Sequence, residues 1–345
     1  MRIALDATYS IGERLSGVGI YSREILLGMA ASHPEARFDF CYRAHRYLRA
    51  WGTDGPDNAR VRLLAEPYGP RFASVFHGLN QRLPRMRLRR AVTTFHDLFV
   101  MTGEYSTREF RERFTAQARD AAKRSDLVIA VSEFTKSQVV SLLGVEASRV
   151  KVAPHGIRPL AYPRRDEPRE KAVLNVGAIQ TRKNIARLVE AFESLSAPWK
   201  LVLAGSFGYG AEKIRERIER SPARDRISVL GYVEADELAT WYSRAAIFAF
   251  PSLDEGFGMP VLEAMAAGAP VLTADRSALP EVAGNAALLV NPEDTDALAA
   301  NLRRLAADED LRNELAAKGL GRARAFTWER AVRQTWEAYQ AVLGG

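Results

Sequence analysis

Short apolar runs alternate with longer amphipathic stretches along most of the chain. Residues 3–5 precede a helical pattern over 20–30, 127–131 precede 134–143, 172–176 precede 185–195, and 201–204 precede 211–220. Apolar strands without a polar face, separated by helices, predict parallel sheets covered by helices on both faces. Residues 157–171 break the pattern, being rich in proline and charge and lacking periodicity, so they read as an interdomain linker with a hinge near Pro159 and Pro163. Two doubly wound α/β domains follow, over residues 1–163 and 164–327. A helical run over 296–326 leads to an amphipathic stretch over 328–343. Ligands of such folds sit at the carboxyl ends of the strands, and two such domains facing each other would place the ligand in a cleft.

Length and composition agree with two domains. The chain has 345 residues, 47% of them hydrophobic, enough for two ordinary cores. A single cysteine, Cys41, excludes an internal disulfide and a cysteine-based metal site, which fits a reducing compartment. Residues 1–7 form a β-like run carrying Arg2 and Asp6, with no apolar core segment behind it. No signal peptide is read there, no apolar run reaches bilayer-spanning length, and a cytoplasmic protein is expected.

Charge is uneven. Residues 1–163 hold 25 Lys and Arg against 16 Asp and Glu, whereas the remainder holds 24 against 26. Arg82, Arg85, Arg87, Arg89 and Arg90 surround Leu83, Met86 and Leu88, a mixture suited either to an anionic membrane surface or to an acidic substrate, or simply to a solvated basic face. Nucleic acid is not expected as a partner, because no nucleic-acid module and no spaced aromatic platform is present.

The most informative stretch is Glu255-Gly-Phe-Gly-Met-Pro-Val-Leu-Glu263. Pro260 suits the start of a helix that Gly268 and Pro270 end, so the segment reads as strand, loop, helix, strand. Gly256 and Gly258 permit close approach of a ligand, and a helix N-terminus attracts an oxyanion such as a diphosphate. Glu255 in the loop and Glu263 in the first helical turn are too far apart to form an i,i+4 pair, so each would reach a different part of a ligand, for example sugar hydroxyls. The bland alternative is a solvated loop carboxylate and a favourable helix-dipole interaction.

A second motif ends a strand at Gly177 and continues through Arg182, Lys183 and Asn184, where Asn184 can cap the next helix while both cations project from the loop. Ser16-Gly17-Val18-Gly19 opens the helix that follows the first strand. It lacks the third glycine of a dinucleotide fingerprint. His96-Asp97 lies at a strand's carboxyl end, with Asp97 able to orient the ring or to cap the next loop. His77 and His155 are explained by turn chemistry, and the histidines are too dispersed for a metal site, so none is expected. Gly231-Tyr232-Val233 marks a further strand end.

The nine-residue string resembles the glutamate, seven residues, glutamate signature of retaining glycosyltransferases of the GT-B fold, family 4. The similarity is best over residues 171–295 and weaker towards the N-terminus. It implies two Rossmann-like domains, the first binding acceptor and the second binding a nucleotide diphosphate sugar, with the helix over 328–345 packing back on the first. It implies that Glu255 holds the donor sugar, Glu263 the ribose, and Arg182 with Lys183 the leaving diphosphate. Gly256, Phe257 and Gly258 would line the donor, backbone near Tyr232 and Val233 would meet the base, Gly17 would approach the donor phosphate or acceptor, and His96 would contact the transferred sugar. Ala178 and Ile179 stand where the family commonly has an arginine, so Arg182 would substitute for it. The implied reaction is metal-independent, has no cofactor beyond the donor, and moves a hexose to a glycan or lipid-linked hydroxyl. Mannose from GDP-mannose, surface polysaccharide synthesis and peripheral attachment to the inner face of the membrane are favoured. An epimerase, a glycan phosphorylase and a non-catalytic nucleotide-sugar binder are the alternatives.

Overall fold

The computed structural model describes residues 1–66, 69–70, 72–158, 160–163 and 168–344. Pro159, on one side of the expected hinge, lies outside them.

The first compact unit comprises Met1–Gly156 and Phe326–Gly345, the second Ile157–Ala325. The chain starts with β1 (Arg2–Asp6), α1 (Gly17–Ser32), β2 (Arg37–Tyr42), α2 (Ala44–Ala50), β3 (Ala59–Leu63), β4 (Val75–Gly78) and β5 (Ala91–Phe95). It continues with α3 (Phe99–Thr102), α4 (Arg108–Arg124), β6 (Leu127–Ala130), α5 (Glu133–Leu143) and β7 (Val150–Val152). The second unit begins with β8 (Glu170–Val176), α6 (Ile185–Phe192), β9 (Lys200–Ala204), α7 (Ala211–Glu219), β10 (Ile227–Gly231), α8 (Ala235–Arg244) and β11 (Ala245–Phe250). Then come α9 (Met259–Ala266), β12 (Val271–Ala274), α10 (Leu279–Ala283), β13 (Ala287–Val290), α11 (Thr295–Ala307) and α12 (Glu309–Ala323). The last helix, α13 (Trp328–Gly344), belongs to the first unit.

Each unit is built on one parallel sheet, in the order β3-β2-β1-β4-β5-β6-β7 in the first and β10-β9-β8-β11-β12-β13 in the second. Central strands such as β5 and β11 are buried at every position, as expected of strands covered on both faces. The winding reverses between β1 and β4 in one unit and between β8 and β11 in the other. Loops leaving those strand pairs diverge and leave a crevice at the carboxyl edge.

The two cores are separately filled. In the second unit Phe192, Leu188 and Val189 of α6 join Leu302 and Leu305 of α11 against β8 and β9. In the first, Tyr339 and Val332 of α13 join Ile25 and Met29 of α1, so the end of the chain completes the core of its beginning. The helical run expected over 296–326 is two helices, because Asp308 ends α11 and its side chain accepts a hydrogen bond from Leu311 N at the start of α12. Among the described residues no helix is long and apolar enough to cross a membrane.

Candidate active site

The crevice between β8 and β11 gathers both sequence motifs. Residues after β8 form a one-turn 3₁₀ helix, Thr181–Lys183, and residues after β11 form the glycine-rich loop that leads into α9. Backbone and side chain tie the two segments together. Leu253 N donates to Arg182 O (2.8 Å), and Asn184 Nδ2 donates to the carbonyls of Pro251 (3.1 Å) and Pro292 (2.6 Å). Asn184 therefore does not cap α6 with its side chain as expected. It occupies the left-handed region (φ 59°), which asparagine tolerates, and its amide is directed to the neighbouring loops.

Arg182 and Lys183 are not projecting loop cations either. Both are about nine-tenths buried, and both converge on the equally buried Glu255. Lys183 Nζ donates to Glu255 Oε1 (2.5 Å), and Arg182 Nη1 lies 3.0 Å from Oε2. Arg182 also donates to the carbonyl of Asp254, and Lys183 Nζ stands 4.7 Å from the centre of the Phe250 ring, where a cation is favoured. Burial alone would raise the Glu255 carboxyl, but Arg182 and Lys183 outweigh it and hold it at about 2. The cluster is thus an ionised Glu255 carboxylate held between the side chains of Lys183 and Arg182.

The glycines explain how the loops close on this cluster. Gly258 precedes α9 at φ 106°, and a Cβ there would come 2.7 Å from Leu279 Cδ2. No side chain caps the first turn of α9. Phe257 is buried, Gly256 lies beside it, and Ser277, itself at φ 57°, accepts a hydrogen bond from Glu255 N (3.2 Å).

Glu263 has different partners. It is the fifth residue of α9, in the second turn rather than the first, and is wholly buried. Its Oε2 accepts from Tyr242 Oη (2.7 Å), and its Oε1 lies 2.8 Å from Arg158 Nε. Tyr232, at the end of β10, is 40% exposed, while Val233 is almost buried.

In the first unit His96 follows β5 and is fully enclosed. Its Nε2 bonds the carbonyl of Leu79 (2.9 Å), so this nitrogen carries the proton, and its Nδ1 faces Nε2 of His155 at 3.3 Å. Both ring nitrogens are thereby occupied, and Leu79 with His155, not Asp97, orients the ring. Tyr21 meets it edge-on with centroids 4.7 Å apart. Burial lowers the His96 imidazolium to about 4 and His77 to about 3, keeping both rings neutral at physiological pH. His77 and His155 are therefore buried network members rather than turn residues. His77 bonds Tyr339 Oη (2.6 Å) and Thr94 Oγ1 (2.8 Å), and the latter also meets Tyr21 Oη (2.9 Å). Gly17 opens α1 with nothing among the described residues within 4 Å of where its Cβ would stand, whereas a Cβ on Gly19 would come 2.8 Å from Tyr9 O.

Sequence reasoning missed Phe250, Arg158 and Tyr242, and gave Ser277, in the loop after β12, no catalytic role. Tyr242 on α8 and Arg158 in the loop after β7 reach Glu263 only through the fold, while Phe250 ends β11.

Comparison with known proteins gives this geometry its context. The pattern described as Glycosyl transferases group 1 matches residues 163–322, and that of Glycosyltransferase Family 4 matches residues 29–159. O-antigen chain mannosyltransferase B of Escherichia coli is 34% identical over 289 residues, covering 78% of this chain and 74% of its own. The chain belongs to family 4 of the glycosyltransferases. The fold of this glycosyltransferase is that of sucrose-phosphate synthase from Thermosynechococcus elongatus, with TM-score 0.79, 23% identity, and coverage of 100% of this chain and 99% of the other. It is shared with the Anabaena protein HepE, solved in complex with UDP and glucose, with TM-score 0.75, 17% identity and 99% of both chains covered. Two Rossmann-like domains of this kind constitute the GT-B fold. The glycosyltransferase is accordingly an enzyme that uses a nucleotide-sugar donor, with mannosyltransferases of O-antigen synthesis among its relatives.

Proposed function

We propose that this enzyme transfers mannose from GDP-mannose to a glycan hydroxyl with retention of anomeric configuration and without a metal ion, in the synthesis of a surface polysaccharide. The buried Lys183–Glu255–Arg182 cluster at the sheet reversal carries this reading. A donor diphosphate competes with Glu255 for the two cations, which loosens the carboxylate to accept hydroxyls of the donor sugar. Charge that develops on the leaving phosphate then meets preorganised cations and the open end of α9, the strongest stabilisation such a site can offer the transition state. Glu255 itself is a poor base, because its carboxyl loses its proton at about 2. The acceptor proton is therefore assigned to an oxygen of the departing diphosphate, with attack and departure on one face of the sugar.

Glu263 is assigned to the ribose, which it can hold by exchanging Tyr242 or Arg158 for a ribose hydroxyl. The backbone at Tyr232 and Val233 is assigned to the base, Gly256, Phe257 and Gly258 to the diphosphate sugar, and Gly17 of the first unit to the acceptor; His96 would have to give up its bond to Leu79 or to His155 before it could meet a sugar. The relationship to O-antigen mannosyltransferase B favours mannose. Incubating the enzyme with GDP-mannose and glycans bearing mannose at their ends, then reading the anomeric proton and carbon couplings of the product, tests the reading. An α-mannoside is expected. A β-mannoside would overturn retention, and formation of free isomerised donor or of mannose phosphate would favour an epimerase or a phosphorylase instead.

A further inference from the structure

The loop after β9, Gly205-Ser206-Phe207-Gly208-Tyr209-Gly210, carries two aromatic side chains at the carboxyl edge of the second sheet. Phe207 is 38% and Tyr209 43% exposed. The loop is nonetheless held in place: Ile179 N donates to Ser206 O (2.9 Å), Gly208 N to Ile179 O (2.9 Å) and Thr181 N to Tyr209 O (3.1 Å), which lace it to the segment that runs into the Thr181–Lys183 turn. Gly210 stands at φ 74°, and a Cβ there would overlap Thr181 Oγ1, so the two segments touch. The Arg215 guanidinium of α7 lies 4.4 Å from the centre of the Phe207 ring and steadies it, while part of the ring stays open to solvent. A single exposed aromatic residue is ordinary; two on one backbone-bonded loop beside Arg182 and Lys183 make a preorganised platform for a flat ring. In the sheet order β10-β9-β8-β11 this loop lies between the segment after β8, with Arg182 and Lys183, and the segment after β10, with Tyr232 and Val233. A nucleoside diphosphate whose phosphates meet the first and whose base edge meets the second crosses it.

We infer that Phe207 and Tyr209 stack against the base of the donor nucleotide and favour a purine, whose larger ring system covers more of the two side chains than a pyrimidine does. Backbone at Tyr232 and Val233 then reads the edge of the base, and these rings hold its face. The inference rests on the assignment of the donor diphosphate to Lys183 and Arg182, and extends it to the choice of base.

Titration calorimetry on the full chain with GDP, UDP and inorganic pyrophosphate separates the rings from the cations. The wild type is expected to bind GDP at least about threefold more tightly than UDP. Phe207→Ala/Tyr209→Ala is expected to lose at least about tenfold in GDP affinity and most of that preference. Its pyrophosphate binding and melting temperature should match the wild type, since both side chains are exposed and the backbone bonds of the loop remain. Phe207→Tyr/Tyr209→Phe, which keeps both rings, should keep affinity and preference alike. Unaltered GDP affinity in the alanine variant, or a wild type that binds UDP as tightly as GDP, would overturn the proposal. Equal weakening of GDP and pyrophosphate would overturn it as well, by showing a displaced cation turn in place of a lost stack. Lys183→Met tests the donor reading separately: undiminished GDP and pyrophosphate binding there would contradict that reading, while a loss of GDP affinity confined to the alanine variant would still assign the base to these rings.

Discussion

Gly17 and Gly19 stand two residues apart and do opposite work. A methyl group at Gly17 meets nothing among the described residues, while one at Gly19 collides with the carbonyl of Tyr9. Gly17→Ala is therefore expected to keep or slightly raise stability, since alanine favours a helix, yet to lower transfer at least about tenfold if a substrate occupies that space. Gly19→Ala should instead lower stability by about 1–3 kcal/mol, with melting curves and initial rates measured side by side. Equal effects of the two substitutions on both readouts would contradict this division. The histidines make a second prediction at the same scale. Their folded-state values lie below the ordinary 6.5, at about 3 for His77 and about 4 for His96, with His155 lowered too, so the unfolded chain takes up protons first. Stability is then complete above about pH 6.5 and is lost as pH falls towards 4 and 3. Glu255 acts in a separate window, between about 4.5 and 2, where protonation removes its pairing. Lowering pH from 7.5 to 5.5 should cost about 1 kcal/mol for each buried histidine, and His77→Gln should reduce that loss by about a third. An equal loss in variant and wild type would sink the assignment. The sequence announced Glu255, Lys183 and His96 because each stands in a motif or at a strand end. It did not announce His155 as their neighbour in kind, since 59 residues separate it from His96 and only the parallel pairing of β5, β6 and β7 brings them together.

At the scale of elements, the site depends on how the ends of β8 and β9 pack. Gly177 N donates to Ala204 O (2.9 Å), and a Cβ on Gly205 would overlap the Gly177 carbonyl oxygen. Gly205→Ala should therefore force the turn that carries Arg182 and Lys183 away from β11, lowering the stability of the second unit by at least about 2 kcal/mol in a denaturant titration. Wild-type stability in this variant would mean that the strand ends are looser than described. The strands were legible because apolar runs bounded by glycine have few other readings. The break between α11 and α12 was not, because the stretch stays amphipathic and rich in alanine on either side of Asp308. Only the capping bond to Leu311 reveals that this aspartate starts a helix. Asn184 deceived in the opposite way, since a good cap residue in the right place was drawn by two buried carbonyls from adjacent loops.

For the molecule as a whole, two separately cored Rossmann-like units follow from the repeated strand-helix pattern, and the charge division between halves maps onto them. The basic half supplies an arginine-lined crevice after β1, β2 and β4, and the other is a nearly neutral domain in which two buried cations, Arg182 and Lys183, meet one carboxylate. What no linear reading could supply is the state of that cluster: Lys183 and Arg182 are already paired and buried, with Lys183 over the Phe250 ring, so donor binding has to exchange one anion for another. Titration calorimetry of GDP-mannose against the wild type and Lys183→Met probes that exchange. Saturable binding by the wild type is expected, with at least about a tenfold weaker affinity in the folded variant, a loss of about 1.4 kcal/mol or more. The same affinity in both proteins would refute the exchange.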